Sequence, residues 1–213
     1  MQTIERVNAI LDCFTLERPE LGVREAARMI GLSTSTTGRM LAAMKDLGIL
    51  TQNPTTHTYA LGGKVLKWAG VYSETLDVRA RSIPMLEELH RSTQETISLY
   101  VMEGNERVCV ERLESPQNVR IVARVGRRLP LYAGSAGKVF LAFLPEARRD
   151  EIIRHTDFKP LTSNTIVDEH ALRDELAKIR RQGYSLSRGE WLSDAAGVAA
   201  PMFDQSGVIV AAV

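Results

Sequence analysis

At 213 residues, 44% of them hydrophobic, the chain is too long for one small domain and short for three, so two domains or one large one are expected. A net charge of +1 excludes a chain that is basic throughout, although the average hides an uneven distribution. Cys13 and Cys109 lie far apart without CxxC or metal-ligand spacing, which argues against a disulfide framework. The N-terminal "MQTIERVNAILDCF" carries Glu5, Arg6 and Asp12 in place of an apolar signal core, and no apolar run approaches bilayer length, so a soluble cytoplasmic chain is expected.

Ile4, Val7, Ile10, Leu11 and Phe14 recur at helical spacing, as do Val23, Ala26, Ala27 and Ile30, and Gly31 closes the second of these helices. In "GLSTSTTGRMLAAMKDLGIL" five consecutive hydroxyl residues, Ser33 to Thr37, open a third helix predicted over Thr34 to Leu47. Thr37, Met40, Leu41, Met44 and Leu47 share its apolar stripe. Ser35, Arg39, Ala42 and Asp46, flanked by Gly38 and Lys45, share the outward face. One serine or threonine suffices to cap such a helix by accepting from unpaired backbone N–H groups. The other hydroxyls read as a contact surface for phosphates and base edges, with Arg39 able to hold guanine bidentately. Residues 24–67 carry six basic side chains against two acidic, whereas residues 1–23 carry two against four. Such a patch is either a solvated face or a polyanion footprint. "GILTQNPTTHTYALG" reads as a hairpin turning at Asn53-Pro54, which makes a winged helix-turn-helix. On helix spacing alone, a helical bundle with a β-ribbon and no nucleic acid is the alternative.

"TIERVNAILDCF", "LGVREAARMIGLSTSTTGRMLAAMKDLGIL" and "YALGGKVLKWAG" resemble, without gaps, the N-terminal domain of the isocitrate lyase regulator (IclR) family of bacterial transcription factors. The matching positions are Ser35, Thr36 and Arg39 on the recognition helix and Thr55, Thr56 and His57 at the wing tip; Arg24, Ser33, Thr34 and Lys45 complete the candidate DNA-binding set. The family commonly has Pro-Lys where this chain has Ser33-Thr34, and a bulkier residue at Gly38. Loss of that cation weakens one phosphate contact, and a mid-helix glycine costs about 1 kcal/mol against alanine. From Gly62 to about Asp77, Val65, Trp68, Ala69, Tyr72 and Leu76 form an apolar stripe, which suits a core helix of either domain. The resemblance implies instead a linker that helps the N-terminal domains dimerise, and a two-fold protein on a pseudo-palindromic operator.

Beyond Val78 a helix through "MLEELHRS" precedes alternating runs "ETISLYVMEG", "ERVCVERLE" and "NVRIVARVG" that read as antiparallel strands. Helical patterns follow in "GSAGKVFLAFL", "ARRDEIIRH" and "DEHALRDELAKIRRQ". Strands return in "GYSLSRGEW" and "GVAAPMFDQSGVIVAAV", with the turn at Gln205-Ser206-Gly207. This order describes an α+β domain. "LPLYAGSAGKVFLA" and "GYSLSRGEWLSDAAGVAAPMFDQSGVIVAAV" resemble the effector-binding domain of the same family, which is similar to GAF and PAS-type sensors. The expected division is a winged helix-turn-helix domain over 1–62, a linker helix over 63–77 and an effector-binding domain over 78–213. The chain stops at "VIVAAV" inside an apolar strand, so the native protein is expected to continue by a few tens of residues.

Gly134, Ser135 and Ala136 open a helix whose free N–H groups and dipole suit an anion. The family's pocket wall, carried over, falls on Ser135, Ala136, Ser187, Glu190 and Gly197. Leu99, Val101, Val110 and Leu131 are candidate apolar walls, and Glu190 either bonds an effector hydroxyl or fixes its loop. Some relatives have Asp and Cys at the positions of Ser187 and Gly197; the smaller pair here opens space for a bulkier or aromatic acid. The expected effector is an organic acid from a degradative pathway. Arg120, Arg124, Arg127 and Arg128 read equally as a solvated strand edge or as anion attraction.

Enzymatic chemistry is the alternative. "AGSAG" mimics a nucleophile elbow at Ser135, with Asp168 and His170 in hydrolase order, which would suit a small acid or ester. The elbow needs a parallel sheet, whereas the preceding strands alternate like antiparallel ones. Gly137-Lys138 imitates a phosphate loop, but Tyr132 and Val139 occupy the positions of its first glycine and its magnesium-binding hydroxyl. His57, His90, His155 and His170 show no ligand spacing. No catalytic residue, cofactor or metal site is expected.

Overall fold

The computed structural model describes residues 2–75, 77–117 and 124–213, and the chain divides into two compact units, Met1–Thr75 and Leu76–Val213. The first unit contains α1 (Gln2–Asp12), β1 (Glu20–Leu21), α2 (Val23–Ile30), α3 (Thr34–Asp46), β2 (Leu50–Gln52), β3 (Tyr59–Leu61) and α4 (Lys64–Thr75). Ile10, Ala26, Leu41, Met44, Leu50 and Tyr59 are buried together as its core. Gly31 ends α2 at φ 68°, a left-handed cap whose N–H donates to the Ala27 carbonyl.

In the first three helices two residues of the expected stripes are exposed. Ile4, in the first turn of α1, is 76% exposed, so that stripe is buried only from Val7 onward. Leu47, the C-cap that follows the last residue of α3, is 59% exposed. β1 has no counterpart in the sequence reading: it pairs antiparallel with β3 and makes a three-stranded sheet in the order β1-β3-β2. On α4, Leu66, Trp68, Val71 and Tyr72 are exposed, which overturns the core-helix alternative for this segment. Leu76 lies outside the described residues.

The second unit begins with α5 (Asp77–Thr93), β4 (Ile97–Glu103), β5 (Glu106–Leu113), β6 (Arg128–Pro130) and α6 (Ser135–Phe143). It continues with α7 (Glu146–Arg154), α8 (Glu169–Gln182), β7 (Ser185–Arg188), β8 (Ala196–Ala199), β9 (Pro201–Phe203) and β10 (Ile209–Ala212). Five strands pair antiparallel in the order β6-β5-β4-β10-β9, and β7 pairs with β8. The strand expected over residues 118–126 falls mostly outside the described residues, as does Arg120. A larger core joins α6, α7 and α8 through Val139, Phe140, Ile153, Leu172 and Ile179. Ala136 to Ala142 are all buried, Lys138 among them. A smaller core on α5, β4, β5 and β10 holds Leu86, Leu99, Val101, Val108, Val110 and Ala211. At the last hairpin Asp204 accepts from the N–H groups of Ser206 and Val208 at 2.8 and 3.0 Å, which sets the turn around Gly207.

Candidate functional site

At the start of α3 the five hydroxyls divide their work. Ser33 is the N-cap, its Oγ accepting from the Thr36 N–H at 3.2 Å, and it also donates to Thr36 Oγ1 at 2.8 Å. Thr37 is fully buried and donates to the Ser33 carbonyl at 3.1 Å. Thr34 and Ser35 remain on the surface with Arg39, which has no hydrogen bond or ion pair among the described residues. Ser33, expected on the contact face, is therefore turned toward its own helix. Arg24 is exposed on α2, and Lys45 lies 3.9 Å from Asp46. Gly38 faces α2: a Cβ there would stand 3.4 Å from Val23, an ordinary contact.

The wing tip is built by one side chain. Asn53 Oδ1 accepts from the N–H groups of Thr55 and Thr56 at 2.9 and 3.2 Å, an Asx turn. It leaves Thr55, Thr56 and His57 exposed, His57 at φ 59°. Thr58 braces the wing by donating to Glu20 of β1 at 2.5 Å.

The second unit holds a cavity of about 790 Å³. Ser135, Ala136, Ser187 and Gly197 line it, as expected from sequence, together with Ser98, Tyr100, Arg107, Arg112 and Trp191. A Cβ on Gly197 would stand 3.1 Å from Ser135 Oγ, so glycine keeps that wall open. Leu99, Val101 and Val110 do not border the cavity. Strand alternation sends them into the smaller core, while Ser98 and Tyr100 face the cavity. Leu131 packs in the larger core. A bulge between Leu99 and Tyr100 shifts the β4–β5 register. It brings Arg107 and Arg112, five residues apart on β5, to the same cavity although simple alternation would separate them.

Gly134 does not offer its N–H to a ligand. At φ 79° it donates instead to Glu190 Oε2 at 2.9 Å. Glu190 Oε1 accepts from buried Lys138 Nζ at 2.6 Å, so this carboxylate is tied into its own loop. Arg107 is held beneath the same helix end, Nη1 donating to the carbonyls of Pro130 and Ala133. Its guanidinium carbon lies 5.4 Å from the Tyr100 ring centre. Burial pushes the Arg107 pKa down to about 10 and that of the Tyr100 phenol up. Arg127 stacks on Trp191, 4.8 Å from the ring centre, while Arg128 pairs with Glu103 and Glu106 at 2.6 and 2.7 Å, so these two cations are engaged in separate contacts.

The hydrolase triad is not assembled. The sheet is antiparallel, Asp168 caps α8 by accepting from the Ala171 N–H at 2.7 Å, and His170 is exposed beside Asp174. Lys138, which imitated a phosphate-loop lysine, is occupied by Glu190, by Glu175 at 3.3 Å and by the Leu186 carbonyl. Among the described residues no group of three His, Cys, Asp or Glu side chains could hold a metal, and no helix is long and apolar enough to cross a membrane. Arg107, Tyr100, Ser98 and Trp191 were missed from sequence. The available signal was an arginine inside the otherwise strand-like run "ERVCVERL".

A winged helix-turn-helix beside an α+β unit with a ligand-sized cavity defines a ligand-responsive DNA-binding regulator. Residues 3–54 match the IclR helix-turn-helix domain, and residues 71–213 match the C-terminal domain of bacterial transcriptional regulators of the IclR type. The chain belongs to the IclR family of transcriptional regulators, which are not enzymes. It is 31% identical over 212 residues to the HTH-type transcriptional regulator KipR of Bacillus subtilis, covering 100% of this chain and 84% of that one. It is 32% identical, with the same coverage, to XynR of Escherichia coli. Among solved structures it is similar to an IclR homolog from Microbacterium hydrocarbonoxydans complexed with 4-hydroxybenzoate, with a TM-score of 0.85 and 31% identity over 98% of this chain and 86% of that one. Thermotoga maritima IclR gives a TM-score of 0.79 at 28% identity, over 100% and 85% of the two chains.

Proposed function

We propose that this regulator acts in the cytoplasm as a homodimer, the unit from which a tetramer would be built, on a pseudo-palindromic operator. It responds there to an organic acid of aromatic size and controls catabolic genes. In this reading residues 1–62 bind DNA, 63–77 link and pair the protomers, and 78–213 sense the effector. Ser35, Thr36 and Arg39 enter the major groove while Thr34, Arg24 and Lys45 approach phosphates, and Thr55, Thr56 and His57 approach the DNA from the wing. The exposed Trp68 and Tyr72 of α4 support the dimer, because large apolar side chains in one patch mark an association surface.

The observation that carries the effector assignment is the α6 N-terminus at the cavity wall. Ser135 and Ala136 border the cavity there, and the first N–H groups of a helix have no partner within it. With Gly134 already bonded to Glu190, the carboxylate site narrows to the Ser135 and Ala136 amides and the Ser135 hydroxyl. Small side chains at Ser187 and Gly197 leave room for a ring, and the Microbacterium relative bound to 4-hydroxybenzoate supports an acid of that class. The test is a mobility-shift titration on DNA upstream of neighbouring catabolic genes, with and without 4-hydroxybenzoate, benzoate and glyoxylate. A salt-sensitive shift altered by an aromatic acid and not by glyoxylate is expected. No shift on any upstream fragment, or an effect of glyoxylate alone, would sink the proposal.

A further inference from the structure

We propose that Arg107 reads the negative charge of the effector, the Nε and Nη2 edge of its guanidinium meeting the carboxylate beside Ser135. The inference rests on the organic-acid reading above and names the group that enforces it. Arg107 is 2% exposed yet lines the cavity. Its guanidinium lies against the Tyr100 ring, but among the described residues only Nη1 is hydrogen-bonded, to two backbone carbonyls, and Nε has no hydrogen-bond partner. Its pKa of about 10 leaves it cationic at neutral pH. The nearby carboxylate that could compensate it, Glu190, is already bonded to Lys138 at 2.6 Å and to the Gly134 N–H at 2.9 Å.

Glu190 favours the charged guanidinium from a distance but forms no hydrogen bond with it. A buried charge without a directly bonded counter-ion is costly, and an anion arriving from outside relieves that cost. The location fits. A Cβ on Gly134 would lie 2.9 Å from Arg107 Nη2, and one on Gly197 would lie 3.1 Å from Ser135 Oγ, so guanidinium and hydroxyl flank the same helix end. The planar fork of an arginine matches a carboxylate bidentately, which neither an amide nor a hydroxyl group of a ligand can reproduce. The other charged residues lining the cavity serve less well: Glu95, Arg188 and Asp194 are exposed, and Arg112 lies 3.9 Å from Glu114.

Calorimetric titration of the chain with 4-hydroxybenzoate and 4-hydroxybenzamide tests this, on the parent, Arg107→Gln and Arg107→Lys. The parent is expected to bind the acid at least about tenfold tighter than the amide, and Arg107→Gln to remove that preference while amide affinity stays within about twofold. If the parent binds acid and amide equally, the organic-acid reading falls and takes this assignment with it. If the parent prefers the acid and Arg107→Gln keeps the preference, the reading stands and the assignment of Arg107 is wrong. Should Arg107→Gln fail to fold, Arg107→Lys retains the charge without the fork. Acid affinity about tenfold weaker with the amide unmoved supports the assignment, and unchanged acid affinity overturns it.

Discussion

Lys138 Nζ and Glu190 Oε1 stand 2.6 Å apart with side chains 1% and 8% exposed, an ion pair inside the second unit. The pair joins α6 to the loop after β7, and Lys138 adds Glu175 of α8 at 3.3 Å and the Leu186 carbonyl at 3.0 Å. Removing one partner of a buried pair leaves an uncompensated charge and costs about 3–5 kcal/mol. Lys138→Met should therefore destabilise this unit by that amount in urea unfolding followed by circular dichroism. A loss under about 1 kcal/mol would show that the Gly134 N–H and the nearby Arg107 already compensate Glu190.

Arg39 is the one long cation on the outward face of α3, and it is exposed and unpaired among the described residues. Arg39→Ala should weaken operator binding by about 1–3 kcal/mol and relax base preference at one position. Equal affinity of variant and parent in a mobility-shift assay contradicts this. Thr34→Lys should tighten binding to specific and non-specific DNA alike, because a phosphate contact carries little sequence information.

The helices and their caps were legible because their signals are local. Gly31 and the hydroxyl run mark two ends, and the apolar residues of α2 and α3 recur at 3.6. β1 was not legible, since two residues carry no periodicity and its pairing with β3 joins Leu21 to Tyr59, 38 residues away. The cavity was legible at its backbone end, Ser135, Ala136, Ser187 and Gly197, where the motifs lie. Its far wall was not. Leu99 and Val101 look like pocket residues by hydrophobicity, but a strand buried on both faces sends alternate residues to different cores, and the bulge resets the parity on β5. Glu190 and Gly134 are 56 residues apart in sequence, and no local pattern announces that the carboxylate of one accepts from the N–H of the other.

Both thiols should be inert in the native protein. Cys109 is fully buried, and burial lifts its pKa to about 11; Cys13 is buried and also raised. At pH 8 a pKa of about 11 leaves about one thiolate per thousand Cys109 side chains, and the thiolate is the reactive form. Ellman's reagent should titrate no fast thiol in buffer at pH 8 and two in guanidinium. Rapid native labelling of either cysteine would mean that its surroundings open on the timescale of the assay.

If the cavity takes the proposed effector, Gly197 should set the size that it admits. Its Cα faces Ser135, and a Cβ there would stand 3.1 Å from the Ser135 hydroxyl, so Gly197→Cys fills space beside the proposed carboxylate site. An added side chain of this size in a fitted pocket changes binding by about 1–3 kcal/mol, roughly ten- to two-hundredfold. The loss should fall on the larger ligand. A two-carbon acid such as glyoxylate keeps its carboxylate at the α6 amides without reaching far into the cavity, whereas 4-hydroxybenzoate needs the volume that the new side chain takes. Calorimetry with both acids should show the aromatic one weakened by at least about tenfold and glyoxylate changed by less than about threefold. If both weaken equally, the substitution has distorted the helix end rather than narrowed the space. If neither changes, Gly197 does not border the bound effector and its ring lies elsewhere in the cavity.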